Sequence, residues 1–272
     1  MNLVKREASP AVAVRPGVVK QRVPLTLDTF TVGGVHISCV DCAKAVENFF
    51  HLVSARMGGF ITVSGAHGVV ESQTDIHLRD IINSARMTLP DGMPVVWVGK
   101  YKRALVQRVP GADFANSVMC DPRAHGIRHY FYGGQPESTS RVVARATELL
   151  GVDAIAGWHS PPFQSAGTIE NSSILEQIRA TQPDVIWVGL STPKQEYWMA
   201  NHTGYFPKTI LVGIGAAFVF FTGIQTRAPR IVQRFGFEWL YRLMQEPKRL
   251  WPRYRRIVPG MLRIMTTEMT RR

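Results

Sequence analysis

The sequence contains little cysteine. Three of its 272 residues are Cys, which argues against a disulfide framework and indicates a reducing compartment. Cys39 and Cys42 form a single C-V-D-C, with no second Cys pair and no His cluster beside it. We interpret them as ordinary thiols near the start of a helix. A thioredoxin-like redox pair is less favoured, because no strand is predicted directly before Cys39.

The sequence also lacks the paired acids that hold a divalent metal. Nine aspartates are present and no two of them lie two positions apart, so there is no D-x-D. His and acidic residues show no metal-ligand spacing either. We therefore expect no metal ion and no cofactor. Without a metal, an enzyme with a diphosphate leaving group needs arginines to neutralise it.

No stretch is typical of a signal peptide or of an uninterrupted membrane span. Residues 1–24 lack the apolar core of a signal peptide, and we expect an irregular lead-in there. The 18 uncharged residues between Lys208 and Arg227 approach the length of a membrane helix. Glycines interrupt this run, and its start, TILVGIG, favours a strand that enters a glycine turn.

Positive charge is concentrated at the carboxyl end. The net charge is +12, and residues 225–272 hold twelve Lys or Arg against three acidic residues, which is +9 of that total. Such asymmetry indicates an anionic partner, which is a phosphate compound, a nucleic acid or an acidic membrane surface.

Apolar, β-rich runs alternate with helical patterns over most of the chain. This rhythm predicts an α/β fold with a mostly parallel, Rossmann-like sheet and helices on both faces. The expected strands are 60–65, 128–134, 153–158, 184–190 and 209–215. The expected helices are 40–53, 136–150, 171–182 and 194–203. The first helix carries an apolar stripe of Val40, Ala43, Val46, Phe49, Phe50 and Val53.

The pattern changes near Pro229, where Arg and Lys become interleaved with Trp, Tyr, Phe, Leu and Met. We expect three parts: the lead-in over 1–24, an α/β domain over 25–229 and a basic amphipathic helical segment over 230–272. Helical spacing puts four apolar residues on one face, namely Trp239, Leu240, Leu243 and Met244. Such segments lie on anionic membranes or bind nucleic acid. The alternative is a terminal helix packed on the core with a solvated basic side.

Residues 190–198, LSTPKQEYW, place polar groups directly after a predicted buried strand. This is where α/β proteins position ligand contacts. A helix start alone explains Pro193, which lacks an N–H, and Glu196, which favours the positive helix end. It does not explain Gln195, so we take Lys194 and Gln195 as candidate binding residues.

Other candidates lie in turns. Asp91 belongs to a Pro-Asp-Gly turn, and burial in a pocket would raise its pKa and make it a general base. Arg108 and Asp113 flank a Pro-Gly turn. Gly133 and Gly134, between a strand and a helix, let backbone N–H groups face an anion. The arginines able to clamp phosphate oxygens are Arg227, Arg242 and Arg249.

These stretches occur in an order that resembles a known family. The pieces are LPDGMPVVW, RVPGADF, VGLSTPKQEYW, GIGAAF followed by TG and RAP, and FEWLYRLMQEPKRL. Each is weak alone, but together they are specific. The sequence resembles the WecG/TagA/CpsF group of bacterial glycosyltransferases from about Thr31 to about Arg253.

The resemblance implies a metal-independent, inverting transfer of a sugar from a UDP-sugar. The implied acceptor is a polyprenyl-diphosphate-linked saccharide at the inner face of the cytoplasmic membrane, in surface polysaccharide synthesis. By resemblance, Asp91 is the catalytic base, and Arg108 and Gln195 line the site. Arginines of the carboxyl-terminal segment, with Arg227 and Arg242 as candidates and Arg249 beside them, fold over the donor diphosphate as a lid. The same segment is implied to bind the membrane, so the expected localisation is cytoplasmic and peripheral.

The sequence departs from the family pattern at two positions that we expect to contact the sugars. Members usually carry Thr-x-Asn after the first strand, whereas Val63 and Gly65 stand there, flanked by Thr62 and Ser64 as candidate contacts. Members often have an acidic residue where this chain has Val219. The donor is therefore left open among a hexose, a uronic acid and an N-acetylhexosamine. The alternatives are an inactive member acting as an assembly subunit and a nucleic-acid-binding α/β protein, although we expect no nucleic-acid partner. A homo-oligomer is left open.

Overall fold

The computed structural model describes residues 27–162, 170–215, 218 and 228–270. The predicted lead-in over 1–24 lies outside the described residues, as do Val219 and the candidate Arg227.

Within the described residues, six strands form one parallel sheet in the order β4-β3-β8-β7-β5-β6. Their bounds are β3 Gly59–Ser64, β4 Met87–Pro90, β5 His129–Gly133, β6 Ile155–His159, β7 Val185–Gly189 and β8 Ile210–Gly213. The five predicted strands are confirmed, with ends shifted by at most two residues. β4 is not among the predicted strands, because a run of four residues is too short to stand out.

A small antiparallel hairpin precedes the sheet, with β1 over Thr29–Val32 and β2 over Val35–Ser38. Gly33 and Gly34 make its turn at φ 56° and 80°, where a side chain would be strained. β2 ends directly before Cys39, so the expectation that no strand stands there is wrong. Burial raises the pKa of the Cys39 thiol, and Asp28 adds to this effect. A raised pKa disfavours the reactive thiolate that a redox pair needs.

Helices cover both faces of the sheet, as predicted. They are α1 Cys42–Ser54, α2 Ala66–Glu71, α3 Ile76–Asn83, α4 Met93–Tyr101, α5 Gly111–Met119, α6 Pro136–Leu150, α7 Ser172–Ala180 and α8 Lys194–His202. In the central strand β7, Val185 and Trp187 pack into the core under α1, α5 and α6. Ile186 and Val188 pack into the core under α3, α7 and α8. This alternation follows from the two-residue period of a strand.

The first helix differs in detail from its predicted stripe. It begins at Cys42, with the Asp41 carboxylate accepting a hydrogen bond from the backbone N–H of Lys44. Ala43 is exposed, whereas Leu52, which is absent from the predicted stripe, is fully buried. The buried face of α1 is therefore wider than the predicted stripe, because it also includes Ala45 and Leu52.

The carboxyl-terminal segment is helical and folds back on the domain. It contains α9 Arg230–Arg234, α10 Glu238–Gln245 and α11 Pro247–Thr270. α11 packs against α2, α4 and α10, and it buries Leu250, Ile257, Met261 and Ile264. The predicted apolar face of α10 is not packed into the core, because Leu240 and Met244 are exposed. No helix in the described part of the chain is long and apolar enough to span a membrane.

Candidate active site

The carboxyl ends of four neighbouring strands open into one cavity of about 540 Å³. Gly65 follows β3, Asp91 follows β4, Ser191 follows β7 and Gly215 follows β8, and all four line the cavity. Parallel α/β sheets bind ligands at this edge. The helices α10 and α11 cover the other side of the cavity with residues that include Trp239, Arg242 and Arg253.

Local hydrogen bonds bring Asp91 and Arg108 together. The backbone N–H of Asp91 donates to the Ser64 carbonyl over 3.0 Å, and that of Val109 donates to the Pro90 carbonyl over 2.8 Å. The two loops therefore run side by side. Gly92 lies at φ 89°, a conformation that favours glycine, which accounts for the Pro-Asp-Gly signal.

Four charged side chains that line the cavity are linked in a row by ion pairs. Nη2 of Arg108 lies 3.5 Å from Oδ1 of Asp91 and donates a short hydrogen bond to Glu238. Glu238 also accepts from Arg242 at 2.6 Å. The carboxylate of Glu238 thus joins the start of α10 to the loop before α5. The Asp91 side chain is 39% exposed and that of Arg108 is 16% exposed, so the carboxylate faces the open part of the site.

The environment keeps Arg108 charged. Burial alone would lower its pKa, but the carboxylates of Asp91 and Glu238, with a contribution from Asp113, outweigh burial and raise it. The described lining residues carry three arginines against two carboxylates: Arg108, Arg242 and Arg253 against Asp91 and Glu238. The arrangement favours an anionic ligand.

Gln195 lines the cavity with a buried amide group. Its residue is 2% exposed, and its Nε2 donates to Oε1 of Glu196 over 3.0 Å and to the Gly213 carbonyl over 3.3 Å. Its Oε1 is buried with no hydrogen-bond partner among the described residues. A Cβ on Gly215 would lie 3.0 Å from this oxygen, so glycine there makes room for the amide. Buried acceptors are normally satisfied, so this oxygen marks Gln195 as a candidate contact for a ligand donor.

Glu196 lies behind Gln195 and is 1% exposed. Burial raises the pKa of its carboxyl group, although hydrogen bonds from Gln195 and Thr192 oppose the shift. The group is therefore held toward its neutral form, which lowers the cost of burying it.

The turn Ser191-Thr192-Pro193 connects β7 to α8. Ser191 has φ 65°, and the Thr192–Pro193 peptide bond is cis. Pro193 is the N-cap and Lys194 the first residue of α8, so Pro193 does not occupy the first helical turn as expected. The turn directs Ser191, Thr192 and Gln195 to the cavity.

Of the predicted site residues, the cavity brings together Asp91, Arg108, Gln195 and Arg242. It is not lined by Asp113, Gly133, Gly134, Lys194, Arg249, Thr62 or Ser64.

Three of these residues make structural contacts elsewhere. Thr62 points to the face of β3 opposite to Val63 and Gly65. It is buried there and donates to Oγ1 of Thr88 over 3.2 Å. Gly134 donates its N–H to the Gly189 carbonyl over 3.1 Å. Arg249 pairs with Glu246 at the exposed surface.

Gly65 leaves no room for a side chain. A Cβ at this position would lie 2.6 Å from the backbone oxygen of Asp91. Glycine therefore allows the ends of β3 and β4 to approach where family members carry an Asn.

Sequence reasoning missed several lining residues. His67 is one, and its pKa is lowered to about 4, first by burial and then by the charges of Arg253 and Arg256. Glu71 lies 3.3 Å from its Nε2 and would favour the protonated ring, but Arg256 contacts the same carboxylate. We therefore describe the His67 ring as neutral. Its only sequence signal is its place two residues after Gly65.

The fold and the cavity define an α/β protein with an arginine-lined ligand site at the carboxyl edge of a parallel sheet. The described residues hold no group of three or more His, Cys, Asp or Glu arranged to bind a metal ion. The model of the glycosyl transferase WecG/TagA/CpsF family matches residues 30–272. This chain belongs to that family, which supports a transferase activity with a sugar donor and an acceptor.

Proposed function

We propose that this protein transfers a sugar from a UDP-sugar to a polyprenyl-diphosphate-linked saccharide, with inversion and without a metal ion. The observation that carries the proposal is the Asp91 carboxylate, which faces the cavity 3.5 Å from the Arg108 guanidinium. Val63 and Gly65, which depart from the family pattern, line the same cavity, so we leave the donor open among a hexose, a uronic acid and an N-acetylhexosamine.

The proposed reaction is a direct displacement. Asp91 accepts the proton of the acceptor hydroxyl, whose oxygen then bonds to the anomeric carbon of the donor. The bond from that carbon to the UDP oxygen breaks, and UDP leaves with the electron pair. Arg242 would stabilise the charge on the leaving diphosphate, joined by Arg227, which lies outside the described residues.

The test is UDP release with EDTA present, over a panel of UDP-sugars and a short polyprenyl-diphosphate-sugar acceptor. We expect acceptor-dependent release from one donor class. Asp91→Asn should fold and lose at least about 100-fold in kcat, whereas Asp80→Asn, at an exposed position on α3, should keep wild-type turnover. Near-wild-type turnover by folded Asp91→Asn would contradict the base assignment. No release from any donor by the folded protein would favour the inactive-subunit alternative.

We also propose that the segment over 230–272 covers the donor and binds the cytoplasmic face of the membrane. Its exposed apolar side chains include Ile231, Phe235, Met244 and Trp251. Met244 and Trp251 line one shallow hollow together with Lys248. Apolar side chains beside basic ones suit an anionic bilayer better than nucleic acid, which is bound through phosphate contacts and aromatic stacking.

Sedimentation with anionic vesicles tests this second proposal. We expect Met244→Ser/Trp251→Ser to reduce binding by about tenfold. The matched control, Ile76→Ser/Val152→Ser, removes exposed apolar side chains from elsewhere and should bind as the wild type does. Equal binding by both double variants would remove the membrane role of these residues.

A further inference from the structure

The cavity continues from its charged end into an apolar groove between α4 and α11. On α4, Met93 and Trp97 are one turn apart and both line the cavity. On α11, the lining residues Val258, Met261, Leu262 and Met265 recur at helical spacing. We call these six residues the apolar groove.

The groove starts beside the polar site on both helices. Met93 comes two residues after Asp91, and the α11 stripe follows Arg253 and Tyr254, which also line the cavity. At about 1.5 Å per residue, the stripe from Tyr254 to Met265 extends for roughly 16 Å. A ligand with a charged head at Arg253 would therefore have an extended apolar path leading away from it.

The groove has a buried floor and an exposed rim. Met261 is buried, whereas Trp97 and Leu262 are exposed. The backbone of Gly236 lies against the inner side, since a Cβ there would come within 2.9 Å of Trp97 and 3.0 Å of Met93. Contiguous exposed apolar surface of this kind marks a binding site. The methionines add a surface that adapts to irregular apolar shapes.

We propose that this groove binds the first part of the isoprenoid chain of the lipid-linked acceptor. The inference rests on the proposed function, because it places the acceptor diphosphate near Arg253. Sugar hydroxyls and nucleobases need hydrogen-bond partners, which the side chains of Met93, Val258, Met261 and Leu262 do not offer. A hydrocarbon chain needs none.

The position of the groove also suits a chain that comes from a bilayer. Phe235 and Phe237 are exposed and line the same cavity. They belong to the carboxyl-terminal segment that we propose to lie on the membrane. The isoprenoid chain of the acceptor would thus extend from the bilayer along apolar side chains, with its diphosphate near Arg253.

The experiment uses the full chain and three acceptors that share one diphosphate-sugar head and carry a methyl, a geranyl or a farnesyl tail. With donor saturating and no membrane present, we measure KM for each acceptor. Burial of apolar carbons should lower KM by at least about tenfold from methyl to farnesyl. Val258→Ser/Leu262→Ser should reduce this ratio toward one. Leu105→Ser, which replaces an 89% exposed leucine outside the cavity, should keep the wild-type ratio.

The outcomes separate the two proposals. Transfer to all three tails with equal KM in the wild type would overturn the groove and leave the proposed function standing. No transfer to any tail by folded protein would overturn the proposed function. Light scattering of Val258→Ser/Leu262→Ser adds a third readout. A change in oligomeric state, without a tail-length effect in the wild type, would assign the groove to contact between two copies of this chain and would overturn the inference.

Discussion

The side chains of Gln195 and Glu196 are neighbours in sequence and hydrogen-bonded in space, with Nε2 of Gln195 donating to Oε1 of Glu196 over 3.0 Å. The second donor of the same amide is engaged by the Gly213 carbonyl. These two bonds engage the amide nitrogen and leave the amide oxygen without a hydrogen-bond partner among the described residues. Glu196 therefore acts as a positioning residue for Gln195.

This relationship predicts a contrast between two variants of Glu196. Because burial holds the carboxyl toward its neutral form, Glu196→Gln should keep turnover within about threefold. Glu196→Leu removes the acceptor and frees the amide to rotate, so kcat should fall by about tenfold or more. Steady-state kinetics with the preferred donor measures both, and Glu176→Leu, on the exposed side of α7, is the control. A folded, fully active Glu196→Leu would show that the amide is held by other means.

We expect α10 to become more mobile when the Glu238 carboxylate, which bridges Arg108 and Arg242, is removed. Glu238→Ala should leave Arg108 and Arg242 without the carboxylate that joins them. We expect amide hydrogen exchange in α10 to increase and the free energy of unfolding to fall by about 2 kcal/mol, since the pair is largely buried. Glu246→Ala breaks an exposed pair with Arg249 and should cost less than about 1 kcal/mol. Equal exchange in α10 for the two variants would contradict the role of the bridge.

His67 predicts a pH dependence of stability. Its pKa in the folded protein is about 4, below the ordinary value of about 6.5. A base with a lowered folded pKa contributes stability above 6.5, and this stability is lost as pH falls from 6.5 toward 4, because the unfolded chain binds the proton first. His67→Gln cannot titrate, so the difference in unfolding free energy between it and the wild type should change across this window.

Denaturant titrations at several pH values give that difference directly. His36→Gln, at an exposed position on β2, is the control and should track the wild type. A wild-type minus His67→Gln difference that stays constant between pH 7 and pH 4 would contradict the assignment of a neutral, half-buried ring.

Much of the sheet could be predicted from the sequence, because β5, β7 and β8 are short runs rich in apolar β-branched and aromatic residues. The site was predictable where its residues directly follow such runs, as Gln195 does. Glu238 and Trp97 could not be found this way. Trp97 on α4 and Glu238 on α10 line one cavity because the carboxyl-terminal segment folds back over α4. Residues so far apart in sequence leave no local pattern that would predict their proximity. The side of β3 that faces the cavity was equally hidden, because a strand buried on both faces has no polar alternation.

A single methyl group added at Gly65 is expected to disturb the site directly. A Cβ at this position would lie 2.6 Å from the carbonyl oxygen of Asp91, which is closer than carbon and oxygen approach. Gly65→Ala must therefore displace the loop that carries Asp91, at a cost of about 1–3 kcal/mol of unfolding free energy. Turnover should fall by about tenfold or more, because small displacements of a catalytic group are costly.

The matched control is Gly126→Ala, since a Cβ there has no neighbour within 4 Å and the residue lies outside the cavity. It should change neither the unfolding free energy beyond about 1 kcal/mol nor turnover. Gly65→Asn restores the residue that family members usually carry, yet it introduces the same Cβ. We therefore expect it to lose activity with every UDP-sugar rather than to change the preferred donor. A gain of activity with an N-acetylhexosamine donor would mean that the ends of β3 and β4 can separate to admit the side chain.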